Sequence, residues 1–294
     1  MSTLVVDEAF LEQVELIETL IKNNVAGRFG GNHKSKTFGS SCEFTDYREY
    51  MPGDDISKID WNAYARFKNL YLKLFLDERQ VHTRIYIDAS RSMTFGNNHK
   101  GIQAIKIAAV FAYISICEMD KVSIYVMRDN RVEEVISNMF GKQSYFENIG
   151  KMNDIVFDGE SNISEAILPS VVGYGDGLSI IISDFLTDYD YETAINHLTS
   201  KKRDILCIQI LSKEELSPRV SGKMHYYDSE DLDKFYRKNI NREILKAYKL
   251  ALEYATGRIR DCCQARGGNY MLVAAEDSLE KIIFDNLMST GVIK

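Results

Sequence analysis

The chain has 294 residues, 45% of them hydrophobic and 27% charged, which is enough apolar material for a sizeable core and leaves little room for extended disorder. Lys and Arg number 36 against 43 Asp and Glu, a formal net charge of −7 that argues against nucleic-acid binding by the surface as a whole. The cysteines (Cys42, Cys117, Cys207, Cys262 and Cys263) are odd in number and lack C-x-x-C spacing, so free thiols in a reducing compartment are expected.

The start, MSTLVVDEAFLEQ, is acidic, unlike the basic start of a secretory signal. No window carries the 18 or so uninterrupted apolar residues of a spanning segment. A soluble, cytoplasmic protein without a transmembrane segment is therefore expected. Asp7 to Asn24 reads as an amphipathic helix with Asp7 as N-cap, since Phe10, Val14, Ile17 and Ile21 share one face. The following loop, GRFGGNHKSKTFGSSC, is locally basic through Arg28, His33, Lys34 and Lys36. It reads as a solvated loop, with an anion patch as the sharper alternative.

Glu43 to Glu78 is dense in Tyr, Asp and Arg and has little helix-to-sheet rhythm. Pro52-Gly53-Asp54-Asp55 signals a turn, Asp60 to Phe67 a short helix capped by Asp60, and Leu70 to Leu76 a strand. The block reads as an excursion packing on the main domain. Arg48, Asp54, Asp55, Asp60, Trp61 and Arg66 form either a structural polar network or a partner-binding surface, with Trp61 as an anchor.

The main domain begins near Thr83, giving expected domains of 1–82 and 83–294. Buried strands are expected at Arg84 to Asp88, Lys121 to Arg128, Leu178 to Ser183, Ile205 to Leu211 and Tyr270 to Ala274, with Arg131 to Asn138 as a hairpin partner across an Asp129-Asn130 turn. Helices are expected at Gly101 to Met119, Gln143 to Met152, Ile163 to Val171, Tyr191 to Thr199, Asn241 to Arg266 and Asp277 to Met288. Buried strands alternating with helices imply an α/β, three-layer, doubly wound, mostly parallel sheet in the order 3-2-1-4-5-6, preceded by the N-terminal helix and the excursion.

Such sheets bind ligands beyond the carboxyl ends of the strands where strand order reverses. Asp88 ends the first core strand and Asp184 follows the fourth, its neighbour in that order, so two carboxylates converge. Ser90 and Ser92 add hydroxyls. Mg2+ takes six oxygens at roughly 2.0–2.1 Å and keeps some water, which suits few carboxylates plus hydroxyls.

These residues resemble a known pattern. Asp88, Ser90 and Ser92 match the D-x-S-x-S of the metal-ion-dependent adhesion site in von Willebrand A domains. Gly159-Glu-Ser161 stands where that family has a Thr, and Ser183-Asp184-Phe185 matches its last Asp. Upstream, Glu43-Phe44, Arg48-Glu-Tyr50, Pro52-Gly53-Asp54-Asp55, Ile59-Asp60-Trp61 and Ala65-Arg66 resemble the bacterial domain-of-unknown-function family fifty-eight, which joins such a block to a von Willebrand A-like domain. The resemblance implies a metal site of Asp88, Ser90, Ser92, Ser161 and Asp184 holding Mg2+, with Mn2+ as an alternative. It also implies a role beside MoxR-type AAA+ ATPases.

The expected function is a non-enzymatic, metal-dependent binding module whose open coordination position takes a carboxylate from the ATPase or its client. A metal-dependent phosphatase or hydrolase with Asp88 as nucleophile is the alternative. Against it, Ser90 stands where related enzymes place a second Asp, no Lys is clearly placed to neutralise a phosphoryl group, and no Walker A or G-x-G-x-x-G motif occurs. A scaffold with a vestigial site is the third reading. Scattered histidines give no zinc spacing.

Overall fold

The computed structural model describes residues 4–24, 38–51, 54, 56–76, 81–96, 100–175, 177–227 and 235–283. The basic loop with Arg28, His33, Lys34 and Lys36 lies outside them, as does Asp55. The chain divides into two compact units, 1–26 with 81–294, and 27–80. The N-terminal helix falls in the first of these units.

In chain order the elements begin with α1 (Glu8–Asn24), β1 (Phe38–Glu49), α2 (Trp61–Phe67) and β2 (Tyr71–Leu76). The Rossmann-like part comprises β3 (His82–Asp88), α3 (Lys100–Cys117), β4 (Lys121–Arg128), β5 (Arg131–Met139), α4 (Gly141–Asn148), α5 (Ile163–Ile167), β6 (Leu178–Ser183), α6 (Glu192–Ser200), β7 (Asp204–Leu211) and α7 (Lys213–Leu216). It ends with β8 (Gly222–Tyr227), β9 (Phe235–Ile240), α8 (Arg242–Gln264), β10 (Asn269–Ala274) and α9 (Leu279–Lys281).

Six strands form one sheet in the order β5-β4-β3-β6-β7-β10, parallel throughout except for β5, which runs antiparallel to β4. Numbered by appearance in the sheet this is 3-2-1-4-5-6, the expected von Willebrand A-like arrangement. The antiparallel edge arises because Asp129 and Asn130 both adopt positive φ (48° and 60°), the geometry of a two-residue hairpin turn that continues the strand twist.

Strand alternation sorts the core into two layers. Ile85, Ile87, Ile180, Ile182, Leu206, Ile208, Ile210, Met271 and Val273 pack with α1, α3 and α4 on one face. Tyr86, Met127, Ile181, Ile205 and Cys207 pack with α5, α6 and α8 on the other. α1 joins the first layer through Phe10, Val14 and Ile17, and Asp7 caps it by accepting the Phe10 N–H at 2.8 Å.

α3 is the one described helix long and apolar enough to cross a membrane. It is 78% buried in the protein, against the sheet, so its apolar character is that of a core helix. Cys207, Cys262 and Cys263 are free thiols, and the Cys42 side chain lies outside the described residues.

Unit 27–80 contains an antiparallel β1–β2 pair and α2. Asp60 caps α2 as expected, accepting from the Asn62 and Ala63 N–H groups at 2.9 and 3.2 Å. β1 is not foreseen by sequence pattern because FGSSCEFTDYRE has no period-two apolar alternation; the pairing with β2 supplies its order. The β8–β9 hairpin is likewise beyond the expected elements. α5 stops at Ile167, earlier than expected, and the helix expected over 277–288 is helical at Leu279–Lys281, with residues beyond 283 outside the described part.

Candidate metal centre

β3 and β6 are parallel neighbours with Ile87 opposite Ile182, so Asp88 and the Ser183-Asp184 pair leave the sheet side by side at the carboxyl ends. The Asp88 carboxylate is buried. One oxygen accepts the Ser90 N–H at 2.9 Å and the other the Ser183 hydroxyl at 2.6 Å. Ser183 carries no signal in the sequence beyond its place at a strand end. Its hydroxyl also accepts the Phe185 N–H at 3.0 Å, at a residue held at φ 51° with its ring edge-on to Tyr191. Burial, and then the nearby Asp184 carboxylate, push the Asp88 carboxyl up to about 6.

The Ser90 and Ser92 hydroxyl oxygens are 3.0 Å apart, Ser92 lying in the short turn Arg91–Thr94. Asp184 accepts the Leu186 N–H at 3.1 Å through Oδ1 and the Lys100 ammonium at 2.7 Å through Oδ2.

Ser161 comes from a separate segment clasped by backbone bonds to this loop and to the β4–β5 turn. The Asp158 N–H donates to Ala89 O (2.9 Å), the Arg91 N–H to Gly159 O (3.0 Å) and the Asp129 N–H to Glu160 O (2.9 Å). The Arg91–Asp158 ion pair at 2.7 Å reinforces the clasp at its rim. Gly159 adopts φ 77°, where a Cβ would stand 2.7 Å from Asp129 Oδ1, so glycine is required for the segment to lie this close. Asn162 caps α5 by accepting from the Ser164 and Glu165 N–H groups. Ser161, just before that cap, is buried, and its hydroxyl has no hydrogen-bond partner among the described residues.

Three further residues bear on the site and escape the sequence pattern: Lys100, Glu215 and Gln209. Lys100, the first residue of α3, is buried, with its ammonium between Asp184 Oδ2 and Glu215 Oε1 at 2.7 and 2.8 Å. The sequence shows no Lys clearly placed to neutralise a phosphoryl group; the fold brings the Lys100 ammonium against the Asp184 carboxylate. Lys100 stands 84 residues from Asp184 in the chain, a pairing that sequence spacing does not reveal. Burial alone would lower the Lys100 ammonium, but Asp184 and Glu215 outweigh it and hold the group above its ordinary value. Gln209, buried on β7, donates to the Asp184 carbonyl and accepts from the Tyr270 hydroxyl, both at 2.6 Å. The signals in the sequence are a charge opening a largely apolar helix and a lone amide inside the run Ile205 to Leu211.

In unit 27–80, Arg48 pairs with Asp54 at 2.8 Å, and Asp54 also accepts the Met51 N–H. The Tyr47 hydroxyl donates to Asp60 at 2.9 Å. Asp60 and Arg66 line a cavity of about 560 Å³ with Tyr47, Phe67 and Tyr71, and Trp61 meets Tyr64 edge-on. The six expected network residues, Asp55 apart, thus include two local contacts, Arg48–Asp54 and the Asp60 cap.

Among the described residues no three His, Cys, Asp or Glu side chains converge as a metal cage. Asp88 and Asp184 at the ends of β3 and β6, and the Ser90, Ser92 and Ser161 hydroxyls on the adjoining segments, are donors of another kind, two carboxylates and three hydroxyls, the chemistry Mg2+ accepts. A buried hydroxyl without a partner is costly unless something binds it, and Ser161 presents one. On these grounds the residues fit a hard divalent cation.

The family model described as "Protein of unknown function DUF58" matches residues 46–254. Uncharacterized proteins of Mycobacterium tuberculosis and Mycobacterium bovis are 21% identical over 232 residues, covering 76% of this chain and 72% of theirs. Among solved structures, an aerotolerance-related membrane protein from Bacteroides fragilis is 15% identical with a TM-score of 0.43, over 71% of this chain and 100% of that one. The VWA domain of SpRpn10 is 9% identical with a TM-score of 0.40, over 70% of this chain and 95% of that one.

Proposed function

We propose a function from one premise: the chain belongs to the DUF58 family. On our reading it is a non-enzymatic, metal-dependent protein-binding module of the cytoplasm, carried by residues 83–294, with 1–82 as its N-terminal accessory segment. Asp88, Ser90, Ser92, Ser161 and Asp184 would hold Mg2+, or Mn2+ in its place. A hard cation in that shell supplies a Lewis-acidic position open to a carboxylate from a partner. The partner we favour is a MoxR-type AAA+ ATPase or the client it remodels, which is what the family resemblance suggests.

The observation that carries the reading is the adjacency of Asp88 and Asp184 at neighbouring strand ends, both buried. Each residue has a definable task. Asp88 is aimed by its bonds to the Ser90 N–H and the Ser183 hydroxyl, so its carboxylate is fixed before any ligand arrives. Ser90 and Ser92 add neutral donors that leave positive charge on the cation, the property an incoming carboxylate needs. Ser161 is brought up by the clasp of the 158–160 segment on the 89–91 loop.

Calorimetric titration with Mg2+ and Mn2+ tests the site: binding by the wild type and its loss in Asp88→Ala are expected. Pull-down of the ATPase should fail with chelator and with Asp184→Ala. Phosphatase activity abolished by Asp88→Asn would overturn the module in favour of the hydrolase reading. Absence of binding by either metal would favour a scaffold.

A further inference from the structure

Lys100 opens the long, largely apolar helix α3, and its side chain is 1% exposed. An ammonium so placed persists only if carboxylates surround it. Two do, Asp184 and Glu215, and the Phe95 ring lies 5.8 Å away on a further side. Glu215 is itself fixed. Its Oε2 accepts the Ser212 N–H at 2.7 Å, while Ser212 Oγ accepts the Glu215 N–H, the reciprocal pair of a capping box that starts α7.

The consequence falls on Asp184. Both its oxygens are already engaged, one by the Leu186 N–H and one by the ammonium. The Lys100 ammonium therefore stands where Asp184 would neutralise another cation. Two cations beside one buried carboxylate repel, and the low local dielectric magnifies that repulsion.

We propose that Lys100 is a built-in counter-cation that competes with a divalent metal for Asp184, with Glu215 as the carboxylate that retains the lysine when the metal takes Asp184. This deepens the metal-module reading and rests on it. The lysine keeps the two buried strand-end acids compatible with folding in the absence of metal. It also sets the affinity of the site low, so that tight metal capture accompanies movement of one side chain from a shared position to Glu215 alone.

The test is calorimetric titration of Mg2+ and Mn2+ into the full chain as wild type, Lys100→Met, Glu215→Gln and the double variant. Thermal melts of each, in chelator and in excess Mg2+, accompany the titrations. Methionine keeps the aliphatic stem, and Gln keeps an acceptor for the Ser212 N–H. Removing the competing charge should tighten metal binding in Lys100→Met by about tenfold or more. Glu215→Gln should weaken it, and that weakening should shrink when Lys100 is already gone. Lys100→Met should lose thermal stability in chelator and regain it with Mg2+. If it does not fold in chelator, refolding on addition of Mg2+ supports the proposal, and failure to refold overturns it.

Equal or weaker metal binding by folded Lys100→Met, beside a wild type that binds, overturns the competition and leaves the metal module standing. No binding by any folded variant overturns both together.

Discussion

Ser183 is the residue on which the geometry of Asp88 depends. Replacing it by alanine removes one hydroxyl and with it two buried bonds: the 2.6 Å donation to Asp88 Oδ2 and the 3.0 Å acceptance of the Phe185 N–H. A buried bond to a charged group contributes about 1.5–3 kcal/mol, and the orphaned N–H adds about 1–3 kcal/mol of unrecovered desolvation. Alanine leaves almost no void in exchange, so the expected loss is about 3 kcal/mol at pH 7.5, where Asp88 is ionised. A unit of this size melts with roughly 2 °C per kcal/mol or slightly more, so the midpoint should fall by about 6 °C or more. The assay is urea unfolding followed by circular dichroism, with the melting midpoint as a second reading. A loss under about 1 kcal/mol, with an unchanged denaturant slope, would mean that the Ser183 hydroxyl does not brace Asp88 in solution.

Two further perturbations test other parts of the same unit. Asp120 is pushed up to about 7 by burial and by Glu118, so the folded state keeps a proton there that the unfolded chain releases near pH 4. Stability is then fully present below pH 4 and is lost as pH rises through 7. Asp120→Asn should match the wild type at pH 4 and exceed it by about 1–2 kcal/mol at pH 8, a figure reduced for the group's partial solvent contact; a pH-independent difference in urea midpoints would refute it. Gly159→Ala places a Cβ at φ 77° and 2.7 Å from Asp129 Oδ1, which should cost about 1–2 kcal/mol and loosen the segment that presents Ser161. Its thermal midpoint, and its Mg2+ affinity relative to wild type, should both fall, and an unchanged midpoint would show that the turn relaxes without strain.

The sheet is legible in the sequence because its strands are runs with no competing pattern. Lys121 to Arg128 and Leu178 to Ser183 are bounded as expected, and the order 3-2-1-4-5-6 follows from alternation with helices. The backbone positions of Asp88 and Asp184 follow in turn, because strand ends are where such runs stop. Side-chain partners are another matter. Lys100 reaches Asp184 across 84 residues and Gln209 reaches it across 25, and neither distance leaves a periodic trace. β1 and the β8–β9 hairpin are hidden for a local reason: each is ordered by pairing with a neighbouring strand, which a single strand's own sequence does not record.

The bonds around the two carboxylates also say which side of the site is able to move. The Tyr270 hydroxyl donates to Gln209, Gln209 to the Asp184 carbonyl, and Ser183 to Asp88, a buried polar chain running across β10, β7, β6 and β3. Four adjacent strands of one sheet therefore fix the acids, and moving either means breaking buried bonds in low dielectric. The hydroxyl side is held differently. Ser90 and Ser92 sit on a turn, and Ser161 on a segment joined to that loop by two backbone bonds and one exposed ion pair, and to the β4–β5 turn by a third backbone bond. Exposed pairs contribute little, so this clasp is the weaker half. A rearrangement of the site would involve the 89–94 and 158–161 segments, against acids that stay where the sheet puts them, and with Lys100, held by Asp184, Glu215 and the Phe95 ring, as the charge able to follow.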